Sequence, residues 1–191
     1  MMKALKHMLV VVSMLTLVTG YSNEIKNEST KDITTVRFVN AKKGHQILIK
    51  NEEGSVIHKE TVERNGSYSQ KFDLTNLSDG FYTIELNKDF EIIVKPFKIA
   101  SKEVIFLNAE QTTVFKPVVR AEKTKVMISQ LALNDKPLKI ELYYNDELIH
   151  KDTLKDGIIL KRVYALSNKR KGTYSIRMTS GDRVFVERFT I

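Results

Sequence analysis

Along most of the chain the apolar positions recur every second residue. Tyr82, Ile84 and Leu86 alternate with Thr83 and Glu85, and Tyr174, Ile176 and Met178 alternate with Ser175 and Arg177. A period of two sends the apolar set to one side of a pleated strand, so these segments predict half-buried β-strands. Turn-forming pairs interrupt them, among them Asn65-Gly66, Asp79-Gly80, Asn145-Asp146, Asp156-Gly157 and Gly181-Asp182. Strands are therefore expected near residues 35–39, 46–50, 55–62, 68–74, 81–87 and 90–99, and in the same order again from residue 113. Beyond the N-terminal segment no stretch keeps the i, i+3, i+4 apolar stripe of a helix. The expected class is all-β, with two tandem antiparallel β-sandwich domains. Pro96 has no N–H to give a ladder, which predicts a sheet edge or a bulge at that point.

The chain also repeats itself. Displaced by 92 positions, Ile57 to Ile99 lies without a gap on Ile149 to Ile191, and 12 of the 43 pairs are identical. His58/His150, Lys59/Lys151, Gly80/Gly172, Tyr82/Tyr174 and Phe97/Phe189 are among them. Two long copies mean tandem domains rather than a solenoid of many short units. The expected divisions are residues 23–101 for the first sandwich, 102–112 for a short structured linker and 113–191 for the second sandwich. Val104 to Leu107 make the linker too apolar for a free tether, so it is expected to pack. Gly80 and Gly172 persist although Asp79 precedes one and Lys171 the other, which predicts a backbone requirement.

Residues 1–22 read as a Sec-type signal peptide: Lys3 and Lys6, then an apolar run from Met8 to Val18, then small residues. That run is short for a bilayer span and no later segment is longer, so no transmembrane segment is expected in the mature chain. The expected location is the periplasm, the cell surface or the medium. Charge then sharpens the reading. The 191 residues carry a net charge of +8, but residues 23–99 hold 12 basic and 12 acidic side chains while residues 100–191 hold 17 and 11. Export takes the chain away from nucleic acid, so the expected partner is an anionic envelope polysaccharide or another envelope protein. The candidate anionic-ligand patch is Lys161 and Arg162 on a strand with Lys169, Arg170 and Lys171 on the loop that follows. Arg177 and Arg183 are expected to project charge from exposed strand faces. The competing reading is an ordinary soluble surface that blunts sheet edges with Lys and Arg.

Catalytic chemistry finds little support. The absence of cysteine excludes disulfides, Cys-ligated metals and a cysteine nucleophile, and no G-x-S-x-G occurs. The duplicated His58-Lys59-Glu60-Thr61 and His150-Lys151-Asp152-Thr153 put each imidazole on the same strand face as a carboxylate. One His and one acid per domain are too few for a transition-metal site, which leaves a solvated strand face. No catalytic, metal or cofactor-binding residue is assigned, and no cofactor is expected. The expected function is a secreted, non-enzymatic binding or structural module at the bacterial cell envelope. Two alternatives are a small secreted hydrolase with a carboxylate pair and an accessory subunit completed by a partner's strand.

Specific residues carry a family resemblance. Gly54, Val56 and Ile57 form a hairpin signature, and Phe72-Asp73-Leu74, Leu77, Gly80, Tyr82 and Ile84-Glu85-Leu86 form a longer one. In this pattern the first copy resembles the C-terminal sorting domain of Bacteroidetes type IX (Por) secretion substrates, and the small secreted Ig-like β-sandwich proteins of that phylum. The second copy follows it less closely, with Lys171-Gly172 in place of Asp-Gly. The resemblance implies an exported Ig-like sandwich and no particular ligand.

Overall fold

Where the sequence alternates, the chain is extended, and the two copies build the same pair of sheets. The computed structural model describes residues 28–30 and 33–191, so the signal-peptide expectation for residues 1–22 lies outside the described residues. The first sheet of copy one holds β1 (Glu28–Thr30), β2 (Ile33–Ala41) and β5 (Gly66–Phe72) in the order β1-β2-β5. Its second sheet holds β3 (Gln46–Asn51), β4 (Val56–Thr61), β6 (Gly80–Asn87), β7 (Glu91–Ala100) and β8 (Glu103–Phe106), in the order β4-β3-β6-β7-β8. After a 3-10 turn at Asn108–Glu110, β9 (Thr112–Phe115) returns to pair with β7. Copy two then forms β10 (Val118–Glu122), β11 (Lys125–Leu131), β12 (Leu138–Tyr144), β13 (Glu147–Leu154), β14 (Ile159–Ala165), β15 (Thr173–Ser180) and β16 (Arg183–Thr190). Its sheets run β10-β11-β14 and β13-β12-β15-β16, the order of copy one without the counterparts of β8 and β9. All pairings are antiparallel.

Each sheet pair closes over its own apolar core. Val36 and Phe38 of β2 and Phe72 of β5 meet Ile47, Ile49, Ile84, Leu86, Phe97 and Ile99 of the facing sheet. In copy two Val126, Ile128 and Leu160 meet Leu138, Ile140, Leu142, Tyr174, Ile176 and Met178. Even a defect is duplicated: Ile57 and Ile149, the first identical pair, are the extra residues of a bulge at the same place in each copy. The turn beside the bulge differs. Asn145 and Asp146 have φ of 47° and 65°, the primed two-residue turn that matches strand twist, whereas copy one spends Asn51 to Ser55 on a longer loop.

One corner of each copy accounts for much of the retained sequence. The Tyr82 hydroxyl donates to the Ser78 carbonyl at 2.9 Å, and the Tyr174 hydroxyl donates to the Arg170 carbonyl at 2.8 Å. The Tyr82 ring stacks on Phe97 and the Tyr174 ring on Phe189. Each tyrosine thus pins the loop that leads into its own strand. Gly172, at φ +156°, opens that strand; a Cβ there would lie 3.0 Å from Tyr144 Cε2 and 3.1 Å from Asn145 Oδ1. Gly80 shares the φ, at +159°, without the crowding.

The segment between the copies is built into the first sheet. β8 pairs with the end of β7 and β9 with its beginning, leaving Lys95 and Pro96 opposite the gap. The Pro96 carbonyl accepts from Leu107 N–H across this edge, so its ring nitrogen, with no hydrogen to donate, lies where no ladder bond is needed.

Candidate functional site

The five basic residues singled out in the sequence occupy different parts of copy two. Lys161 lies mid-strand on β14, opposite Ser129 of β11, on the outer face of the sheet. Arg162 alternates to the other side, where its Nε meets Asp152 Oδ2 of β13 at 3.1 Å. Lys169, Arg170 and Lys171 lie on the β14–β15 loop, held by Arg170 N–H to the Ser167 carbonyl and by hydroxyls of Tyr174 and Tyr144 on the carbonyls of Arg170 and Lys171. Lys161 and Arg162 border one groove, and Arg170 borders a separate hollow of about 510 Å³ with His150, Tyr164 and Tyr174.

The groove beside Lys161 is the larger, about 860 Å³, lined by Phe90, Val118, Arg120, Met127, Ser129 and Val163 among others. Its floor is the outer face of β10-β11-β14. Cross-strand pairs Met127/Val163 and Leu131/Ile159 make an apolar strip, interrupted by Ser129/Lys161 and flanked by Arg120 opposite Met127. Val163 and Ile159 are 59% and 64% exposed. The matching pairs of copy one are Thr35/Lys71 and Arg37/Ser69, with Ile33 and Val39 at the ends of the same face of β2. In copy two the result is an exposed apolar strip with Lys161 within it and Arg120 beside it. The signal was present in the sequence. In Lys125 to Leu131, Val126 and Ile128 supply one face while Met127 and Leu131 make the other apolar as well.

Arg183 stands apart from the exposed arginines. Instead of projecting from an open face, its guanidinium forks onto Glu85 of copy one, with Nη1 3.0 Å from Oε2 and Nη2 2.6 Å from Oε1. Lys50 Nζ donates to the same Oε2 at 2.8 Å, and Glu85 is 2% exposed. Burial pushes the Glu85 carboxyl up, but hydrogen bonds and charge from Arg183 and Lys50 outweigh it and hold it below the ordinary carboxylate value. The expected exposed face is not where Arg183 lies: it shares the inward face of Phe185 and Phe189, opposite buried Ser180 at the start of β16, and the other copy supplies its partner there. The Gln130 amide adds a second link by donating to the Phe115 carbonyl at 2.9 Å.

The duplicated histidines serve packing. His58 meets the Phe72 ring edge-on, and His150 meets Tyr164, the residue equivalent to Phe72. The neighbouring carboxylates latch the two sheets together: the Tyr68 hydroxyl donates to Glu60 and the Tyr164 hydroxyl to Asp152. Burial, then the hydrogen bond to Glu60, pushes the Tyr68 hydroxyl up to about 12. Among the described residues no group of three His, Asp or Glu is gathered as a metal ion would need. Nor is any helix among them long and apolar enough to cross a membrane.

Residues 29–100 match the family described as the secretion system C-terminal sorting domain, which fits an exported chain. No curated protein sequence matches the chain. Among solved structures, the BSP domain of a biofilm-associated protein is similar at 11% identity and a TM-score of 0.29, covering 84% of this chain and 27% of that one. The human OSCAR ligand-binding domain is similar at 11% identity and a TM-score of 0.25, over 85% of this chain and 92% of that one. An amphioxus IgVJ-C2 molecule follows at 12% identity and a TM-score of 0.21, over 82% and 95%. This chain therefore spans about a quarter of the biofilm-associated chain.

Proposed function

We propose that the protein is an exported, non-catalytic binding module of the bacterial cell envelope, and that its ligand is an acidic envelope polysaccharide held on the outer face of β10-β11-β14. In this reading residues 1–22 direct export, and residues 23–101 and 113–191 are two sandwich domains joined by 102–112. One observation carries the ligand: the strip of Met127, Val163, Leu131 and Ile159 with Lys161 within it and Arg120 beside it, where copy one has Thr35/Lys71 and Arg37/Ser69. Apolar C–H faces of sugar rings suit Met127 and Val163, and acidic substituents suit the two cations. Lys169, Arg170 and Lys171 lie on a separate loop and add attraction at longer range, which salt screens beyond about 8–10 Å.

The test is the affinity of the full chain for an acidic bacterial polysaccharide at low and high salt. The pair Arg120→Ser and Lys161→Ser is expected to weaken binding at least tenfold and to flatten its salt dependence. The loop triple of Lys169→Ser, Arg170→Ser and Lys171→Ser is expected to weaken it less. Unchanged binding by the Arg120/Lys161 pair, or a larger loss in the loop triple, refutes this placement.

A further inference from the structure

Among the described residues, one edge of the second copy lacks the strands that cover its counterpart in the first. In copy one the outer edge of β7 is occupied along both its ends: Glu91, Ile92, Ile93 and Val94 pair with β9, and Phe97 to Ala100 pair with β8. The equivalent strand is β16, because Val94/Val186 and Phe97/Phe189 are matched pairs and both strands close the same sheet order. Among the described residues β16 pairs with β15 alone. Burial differs as well: Ile92 and Val94 are 6% and 8% exposed, Val94 on the face where Glu85 meets Arg183, whereas their counterparts Val184 and Val186 are 49% and 55% exposed.

Strand geometry says which groups await a partner. Ile191 exchanges both backbone hydrogen bonds with Gly172, so odd-numbered residues here point their amides toward β15. In an antiparallel pair the even-numbered residues then direct N–H and C=O the other way. Val184, Val186, Arg188 and Thr190 thus present an unfilled ladder beside exposed valine side chains, a template for an added strand. Pro96, the counterpart of Arg188, has its carbonyl on the same outer side, bonded to Leu107 N–H.

We propose that β16 is a strand-accepting edge, completed by an extended segment of a partner polypeptide in the manner that β8 and β9 complete β7. The chemistry of the occupant follows from the segment that covers the equivalent edge. Residues 103–115 supply β-branched and aromatic residues in both strands, with two acids, Glu103 and Glu110, and no base. The open edge carries Arg188 and the neighbouring exposed Arg177, opposite in sign to such a segment. Main-chain bonds then supply affinity, while the valines and arginines select an apolar, acidic strand.

The probe is a synthetic peptide of residues 103–115 added to the full chain, with amide hydrogen exchange as the readout. The expected result is saturable slowing at Val184, Val186 and Thr190, while amides of β4 and β13 exchange as before. A scrambled peptide is expected not to slow them. Val186→Pro removes one outward N–H and is expected to cut affinity at least tenfold. Val184→Pro provides a second test at the counterpart of Ile92, which pairs with β9 in the first copy, so it keeps the question open to refutation if the former fails to fold. No slowing along β16, slowing by the scrambled peptide, or full affinity in a folded proline variant overturns the proposal. None of these outcomes depends on the polysaccharide face.

Discussion

Replacing Arg183 by Met tests whether the two copies are held together by the buried charge cluster on Glu85. The native carboxylate accepts two hydrogen bonds from Arg183 and one from Lys50 while 2% exposed. Removing one partner of a buried pair commonly costs about 3–5 kcal/mol when the remaining charge is left alone. Here Lys50 still covers Oε2, so the expected loss is smaller, about 2–3 kcal/mol, comparable to losing one or two charge-assisted hydrogen bonds. For a chain of this size that corresponds to a fall in Tm of about 4–12 °C. Far-UV circular dichroism during urea and thermal unfolding is the assay. A cycle with Glu85→Gln isolates the pair, and its coupling energy is expected to be at least about 1.5 kcal/mol. Acid adds an independent signature. Because the folded carboxyl titrates below its unfolded value, the unfolded chain binds more protons in that window. The stability contributed by the pair is therefore present above the ordinary carboxylate value and disappears as pH falls through the depressed one. A coupling below about 0.5 kcal/mol, within the usual error of additivity, would show that the contact holds nothing together.

Further outcomes are expected elsewhere in the molecule. Tyr174→Phe keeps the stacked ring and loses only the bond to the Arg170 carbonyl, so denaturation should register a loss of about 1 kcal/mol, and Tyr82→Phe a similar one. Gly172→Val should destabilise more than Gly80→Val, because a Cβ at 172 meets Tyr144 and Asn145 whereas both sites share the backbone strain; equal losses in urea midpoint would contradict this. Lys95 is buried beside Phe38 with its ammonium donating to the Arg37 carbonyl, and burial lowers its pKa to about 8. The unfolded chain then binds more protons above pH 8, so stability should rise from about pH 8 toward the ordinary lysine value, and Lys95→Met should remove that rise.

How far the sequence alone determined this protein can be judged strand by strand. Period-two alternation is a local property, because neighbouring side chains on a pleated strand must point to opposite faces. Strands β2 to β7 and their counterparts in copy two were therefore readable, as were the turns at Asn145-Asp146 and Gly181-Asp182. The match of Gly80, Tyr82 and Phe97 to Gly172, Tyr174 and Phe189 also announced that both copies close the same way. Three features were decided only by tertiary contacts. β8 and β9 join the first sheet because the edge of β7 offers unpaired backbone groups, which no pattern within residues 103–115 encodes. Arg183, expected on an exposed face, lies on the side of Phe185 and Phe189 at the strand end, where a carboxylate 98 residues away in the chain is buried with it. The five basic residues looked like one cluster along the chain, but a strand reverses direction at every residue and a loop leads elsewhere. Lys161 consequently faces the groove, Arg162 faces Asp152, and the triplet from Lys169 to Lys171 stands on its own turn.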